Sequence, residues 1–116
     1  MSTFFGVKTE YAGVLFRSKL ESEWARWFDS LQIPWQYEPI KFGRYTPDFG
    51  IENLAIFVEV KPTSPLGMNS LLCPLPLIVV FGKPGTKEVS YVAPNTGTRI
   101  NCYSWIEAYD MACKQR

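Results

Sequence analysis

The sequence contains no histidine, and its three cysteines, Cys73, Cys102 and Cys113, are widely separated with no Cys-X-X-Cys pair. A zinc centre built from thiolates and imidazoles is therefore excluded, and an odd number of scattered thiols points to buried, reduced cysteines in a cytoplasm. An excess of charge of one sign is also missing. Twelve basic residues against eleven acidic ones give a net charge of +1, so a polyanionic ligand would have to meet a local basic surface, for which Arg17, Lys19, Lys41, Arg44, Lys83 and Lys87 are the candidates. There is no repeat, low-complexity tract or linker, and no basic and apolar leader with a small-residue cleavage site opens the chain. No charged residue occurs between Lys61 and Lys83, yet the apolar part of that stretch is too short, and too broken by Pro74 and Pro76, to cross a membrane.

At 116 residues, 47% hydrophobic and 16% aromatic, the chain supports one domain, residues 1–116, with a single core and no room for a separate recognition module. Residues 1–13 read as an irregular arm or a short strand. A helix is expected from Val14 to Gln32, stopped by Pro34, with Leu20, Trp24, Trp27, Phe28 and Leu31 on one apolar stripe. Trp35 to Glu38, Arg44 to Ile51 and Leu54 to Lys61 read as a meander. Leu77 to Phe81 is a continuous apolar strand covered on both faces, and Lys87 to Ala93 alternates as a further strand. Ser104-Trp105-Ile106-Glu107 is a capping box opening a last helix to about Lys114. The expected class is a mixed α/β (α+β) fold, a mixed central sheet flanked by helices.

Chemistry is concentrated between Pro47 and Lys61. In Ile56-Phe57-Val58-Glu59-Val60-Lys61 the β-branched residues take alternate positions, so Phe57, Glu59 and Lys61 share the other face. At roughly 3.3 Å per residue, Glu59 and Lys61 leave that face about 6.5–7 Å apart. A turn at Glu52-Asn53-Leu54 would pair this strand with the segment ending at Ile51. Asp48 then falls beside Glu59 or one pair away, while Phe49 and Ile51 turn to the opposite face. Two adjacent carboxylates repel unless a cation joins them, and hard oxygen ligands suit Mg²⁺ or Mn²⁺. Taken singly, Asp48 also fits a turn or strand-edge acid, and Glu59 with Lys61 a solvated strand face carrying a salt bridge.

Pro47-Asp48 followed by Glu59-Val60-Lys61 resembles the signature of the PD-(D/E)XK nuclease superfamily. The likeness extends upstream through Phe16-Arg17-Ser18-Lys19-Leu20-Glu21, Ile33-Pro34-Trp35-Gln36-Tyr37-Glu38-Pro39 and Tyr45-Thr46-Pro47-Asp48-Phe49, as in small phage and bacterial nucleases of the endonuclease I junction-resolvase and TnsA-type kinds. It covers roughly residues 14–62. The resemblance implies a restriction-endonuclease-like core, a cytoplasmic protein of a bacterium or of a phage's host, DNA as substrate, and Mg²⁺ or Mn²⁺ as cofactor. It also implies roles for particular residues. Asp48, Glu59 and the Val60 carbonyl bind the metal, and Glu21 stands near it or its bound water. Lys61 orients or deprotonates the attacking water, or balances charge in the transition state. Periodicity leaves Glu21 and Glu23 equally placed beside the apolar stripe; the resemblance selects Glu21. Arg17, one turn earlier, holds Glu21, reaches a phosphate, or forms a plain i,i+4 ion pair.

Two classes of function follow. One is a metal-dependent endonuclease that is structure-selective or guided by a partner, and the other a catalytically silent nuclease-fold protein that binds DNA or serves in assembly. A homodimer or a partner protein is expected because the domain is small and one such site cuts one strand at a time. Nucleases of this kind carry a longer, charged crossover helix after the Glu-X-Lys strand; the uncharged stretch from Pro62 to Gly82 is read here as a buried crossover or as an apolar contact surface for a second subunit.

Overall fold

The computed structural model describes residues 7–62 and 73–115. Strands β1 (Thr9–Tyr11) and β2 (Val14–Phe16) form a two-stranded hairpin. Its turn residues, Ala12 at φ 53° and Gly13 at φ 79°, are both left-handed, which suits the twist of a two-residue hairpin turn. The expected helix start at Val14 is thereby corrected. Val14 to Phe16 satisfy their backbone groups against Thr9 to Tyr11, and helix α1 runs Lys19–Ser30. Ser18 is its N-cap, with Oγ accepting from the Glu21 N–H at 3.1 Å.

The helix ends in a Schellman motif in which Ile33 N–H donates to the Phe28 carbonyl at 2.9 Å and Gln32 N–H to that of Asp29 at 3.0 Å. The motif needs a left-handed residue, and Gln32 supplies it at φ 59° with a Cβ that glycine would lack. Gln32→Gly is expected to stabilise the fold by about 0.5–1 kcal/mol, the relief of left-handed strain less the added chain entropy. Urea unfolding measures it, and a loss of stability would show that the Gln32 side chain makes a contact worth more than the strain.

Strands β3 (Trp35–Tyr37), β4 (Phe49–Ile51), β5 (Ile56–Lys61), β6 (Leu77–Phe81), β7 (Val89–Val92) and β8 (Arg99–Cys102) form one sheet in that order. It is mixed: β5 and β6 run parallel and every other neighbouring pair antiparallel. The fold is α+β, with a six-stranded sheet and two helices. Several strands are shorter than the sequence suggests. The strand expected from Arg44 begins only at Phe49, because Phe42 and Tyr45 close a tight turn on each other and Pro47 has no N–H to donate. Glu38 (φ 46°) ends β3, and three consecutive left-handed residues, Glu52, Asn53 and Leu54, delay β5 to Ile56. Strand β7 covers only the centre of the expected Lys87 to Ala93, and β8 is an element that alternation did not reveal.

Helix α2 (Trp105–Gln115) opens at its expected cap, with Glu107 N–H donating to Ser104 Oγ at 3.3 Å. The reciprocal bond differs from the capping box, since Glu107 Oε1 accepts at 2.8 Å from the N–H of Tyr103, one residue before the cap. Both helices pack on one face of the sheet. There Trp24, Phe28, Trp105 and Ala108 meet Phe49, Ile51, Ile56, Val58, Val60, Ile78 and Val80 in the larger core. Trp24 Nε1 reaches past the sheet to donate to the Gly82 carbonyl at 2.9 Å. The opposite face carries a smaller cluster, Tyr45, Phe57, Cys73, Leu77, Val79, Phe81 and Val92, flanked by Phe42 and Leu54. Every residue of β6 is buried, as its unbroken apolar run predicts. Gly50 lets the loop before Asp48 lie close on β4, since a Cβ there would come within 2.9 Å of Pro39 Cγ.

All three cysteines are free thiols, Cys73 and Cys102 buried and Cys113 partly so. Residues 63–72, on which most of the expected apolar contact surface falls, lie outside the described residues. Among the described residues no helix is long and apolar enough to cross a membrane.

Candidate active site

Strand pairing brings the two principal acids together. Phe49 pairs with Val58 and Ile51 with Ile56, so the ladder carried one residue further sets Asp48 directly across from Glu59. Asp48 is 3% and Glu59 9% exposed. The Val60 N–H donates to Asp48 Oδ2 at 2.8 Å, which pins that carboxylate to β5. The Asp48 carbonyl in turn accepts from the Glu38 N–H at 2.8 Å.

Glu59 accepts the Tyr45 hydroxyl on Oε1 at 2.8 Å and holds Lys61 Nζ 3.4 Å from Oε2. The strand geometry separates the backbones of Glu59 and Lys61, and their flexible side chains close the gap. The Lys61 side chain remains 35% exposed, whereas both acids are buried.

Glu21 enters from the first turn of α1 and is 7% exposed. Glu23 is only partly buried, so packing selects Glu21, as the resemblance does. Its Oε1 accepts the Tyr37 hydroxyl at 2.8 Å. Tyr37 Oη also takes the backbone N–H of Arg17 at 3.1 Å, which ties the start of α1 to β3.

Arg17 gathers the remaining carboxylates. Its Nη2 lies 2.7 Å from Glu38 Oε2, 3.3 Å from Asp48 Oδ1 and 3.9 Å from Glu21 Oε2. The bland i,i+4 pair with Glu21 is thus the longest of three contacts. Lys19, Lys41 and Arg44 are exposed. Lys41 and Arg44 lie in the turn that carries Tyr45, and Lys19 opens α1 two residues before Glu21. The turn after β6 also begins beside the site, since Gly82 N–H donates to the Lys61 carbonyl at 2.8 Å; Lys83 and Lys87, both exposed, follow in that turn.

Burial pushes the Asp48 carboxyl well above the usual carboxylate range, and the charges of Glu59 and Glu21 push the same way against the Val60 N–H and Arg17. Burial likewise raises the Glu59 carboxyl, with Tyr45 and Lys61 opposing. Tyr45 is held in its protonated, donating form by burial and by the neighbouring Glu59 charge.

These groups bind protons more tightly in the folded chain than at their ordinary values of 3.8 and 4.5. Folding therefore takes up protons above those values, and their contribution to stability is fully present at low pH and lost as pH climbs through the raised native values. In chelator-treated protein, Asp48→Asn should melt higher than the wild type at pH 8, by about 4 °C or more if the relief reaches 1 kcal/mol. The gap should narrow towards pH 4. Equal melting temperatures across that range would show that the buried acids carry no such cost.

The residues fit a hard divalent cation in one respect and leave the rest to water. Among the described residues no group of three or more acid, cysteine or histidine side chains is placed to hold an ion unaided. Mg²⁺ needs no such cage, because it keeps several waters and uses one or two carboxylates. Asp48 and Glu59, each beside a cation, Arg17 and Lys61 respectively, could supply that pair, and the Val60 backbone adjoins Asp48.

Tyr37, Glu38 and Tyr45 hold the acids in place but were not assigned roles from sequence. Tyr37 and Glu38 sit in the Tyr-Glu-Pro stretch of the resemblance; Tyr45 lies in a turn, where periodicity is silent. No family model, curated protein or solved structure matches the chain.

Proposed function

We propose that this protein is a Mg²⁺- or Mn²⁺-dependent endonuclease that hydrolyses phosphodiester bonds of DNA, with a restriction-endonuclease-like core of the PD-(D/E)XK kind. The observation that supports it most is the pairing of buried Asp48 and Glu59 across β4 and β5 with Lys61 Nζ 3.4 Å from Glu59. Asp48, Glu59 and the Val60 carbonyl would hold the metal, and Glu21 would act through its bound water. The metal, when bound, acidifies water and polarises a phosphoryl oxygen. Lys61, partly exposed beside Glu59, would meet negative charge as it develops. Arg17, Lys19, Lys41 and Arg44 would receive flanking phosphates. A small domain with one such site cuts one strand at a time, so a homodimer or a partner protein completes a double-strand cut. Incubating branched, linear and single-stranded DNA with Mg²⁺, Mn²⁺ or EDTA tests the proposal, and intact substrate in every metal condition would overturn it.

Arg17 favours a second reading. Its guanidinium already contacts Glu38, Asp48 and Glu21, so the acids have a built-in counter-ion and could serve structure alone in a silent DNA-binding or assembly protein. The same panel separates the two readings: binding without cleavage in Mg²⁺ and Mn²⁺ supports the silent one.

A further inference from the structure

The sheet face that carries the candidate site continues beyond it. In register, Glu59 pairs with Val79, Val79 with Ser90 and Ser90 with Asn101. Paired residues of neighbouring strands point to the same side. One row of side chains therefore runs from Glu59 on β5 to Asn101 on β8, with Val79 and Ser90 buried between them. The next row pairs partly exposed Lys61 with Phe81, through which the site's face reaches the groove on β7 and β8. A third row joins Phe57, Leu77, Val92 and Arg99.

Both helices cover the other face, and on this face the exposed side chains of Arg99, Asn101 and Tyr103 border a groove of about 300 Å³. Phe81 and Ser90 line it from within, and exposed Lys87 stands at its end. Ser90 Oγ donates to Asn101 Oδ1 at 3.2 Å, which fixes one wall. Glu88 is also in the lining, so two cations stand against one acid. Tyr103 is 82% exposed, an aromatic ring presented to solvent beside the positive charges.

We infer that the groove on β7 and β8 binds a single-stranded stretch of nucleic acid that leads to the Asp48–Glu59 site, with Arg99 and Lys87 on its phosphates and Tyr103 stacked on an unpaired base. This rests on the reading of that site as a phosphodiester-cutting centre. A strand rather than a duplex is specified because an exposed ring beside cations is the stacking platform that single-strand binders use, and an unpaired base reaches it without unstacking a duplex. Three strand spacings of about 4.8 Å separate Glu59 from Asn101, roughly 14 Å. The preferred substrate therefore carries an unpaired tail long enough to span that distance.

The test uses the full chain and a variant combining Lys87→Ser, Arg99→Ser and Tyr103→Ser, all exposed positions. Fluorescence anisotropy of a labelled single-stranded 20-mer and of a duplex, in EDTA with a salt titration, gives binding without requiring catalysis. Cleavage of tailed and blunt substrates in Mg²⁺ is followed in parallel. The variant should bind the single strand on the order of 10- to 100-fold more weakly, and its log–log salt slope should fall by about 1.4, two phosphate contacts at about 0.7 each. The tailed substrate should lose its advantage over the blunt one.

If the wild type cuts DNA and the variant binds and cuts equally well, the groove assignment falls and the nuclease proposal stands. Loss of strand binding in the variant, when neither protein cuts anything, would instead keep the groove and remove the nuclease. A wild type that binds no single strand overturns the inference outright, as does a groove that proves to be a contact between two copies in sedimentation, with oligonucleotide binding unaffected by the substitutions.

Discussion

Asp48→Asn or Glu59→Gln is expected to lower metal-dependent cleavage by a factor on the order of 10³ or more while the fold survives. Each amide keeps the size and most of the hydrogen bonding of the acid it replaces: in Asp48→Asn the amide oxygen can still accept the Val60 N–H, and in Glu59→Gln it can still accept the Tyr45 hydroxyl. What disappears is the negative charge that holds a hard cation. Because burial already disfavours that charge, a neutral side chain fits the chelator-treated protein at least as well. The two readouts therefore move in opposite directions, activity lost and chelated-state stability kept or raised. DNA binding in EDTA should tighten, since a repulsive charge near the scissile phosphate has gone. Undiminished cutting by either variant would remove both residues from the reaction. Loss of cutting together with loss of the circular-dichroism spectrum would show instead that the acids hold up the fold.

Lys61→Ala is the second large effect. With Nζ 3.4 Å from Glu59 and its side chain 35% exposed, Lys61 can reach charge that develops on the reacting phosphate without first leaving a buried pair. If it acts on the transition state, kcat should fall about 10²-fold with KM little changed. A lysine that only grips a ground-state phosphate would raise KM, lose its effect at saturation, and lower the salt slope by about one when removed. A KM-only response would thus reassign Lys61 from the chemistry to the binding surface. Lys61→Arg separates charge from shape, because a planar guanidinium restores the charge but not the compact ammonium.

The sequence alone determined the parts of this protein that local pattern encodes. The alternation in Ile56 to Lys61 put Glu59 and Lys61 on one face, and the short connection to Ile51 left Asp48 little choice but to pair near Glu59. The unbroken apolar run of Leu77 to Phe81 required cover on both sides, and Ser104 with Glu107 marked the start of α2. The signal for the true start of α1 was present too, in Ser18-Lys19-Leu20-Glu21, but Phe16, one turn before Leu20, extended the helical stripe and masked it. Apolar residues at such spacing serve a hairpin strand equally well, and only the left-handed pair Ala12 and Gly13 with a partner at Thr9 to Tyr11 decided between them.

Periodicity could not decide which of Glu21 and Glu23 faces the acids, because the two flank the helical stripe symmetrically until a sheet lies against one side; the packing agrees with the resemblance in placing Glu21 there. Tertiary structure alone decided that Tyr45 and Tyr37 clamp Glu59 and Glu21, that Arg17 bridges to Asp48 across 31 residues of chain, and that β8 extends the site's face into a groove. The physical reason is one of range. Helical and strand periodicity report each residue's orientation within its own element, over a few ångströms of backbone. A carboxylate's burial, its proton affinity and its counter-ions depend on side chains that the fold brings from elsewhere in the chain, and no periodicity within one segment records them.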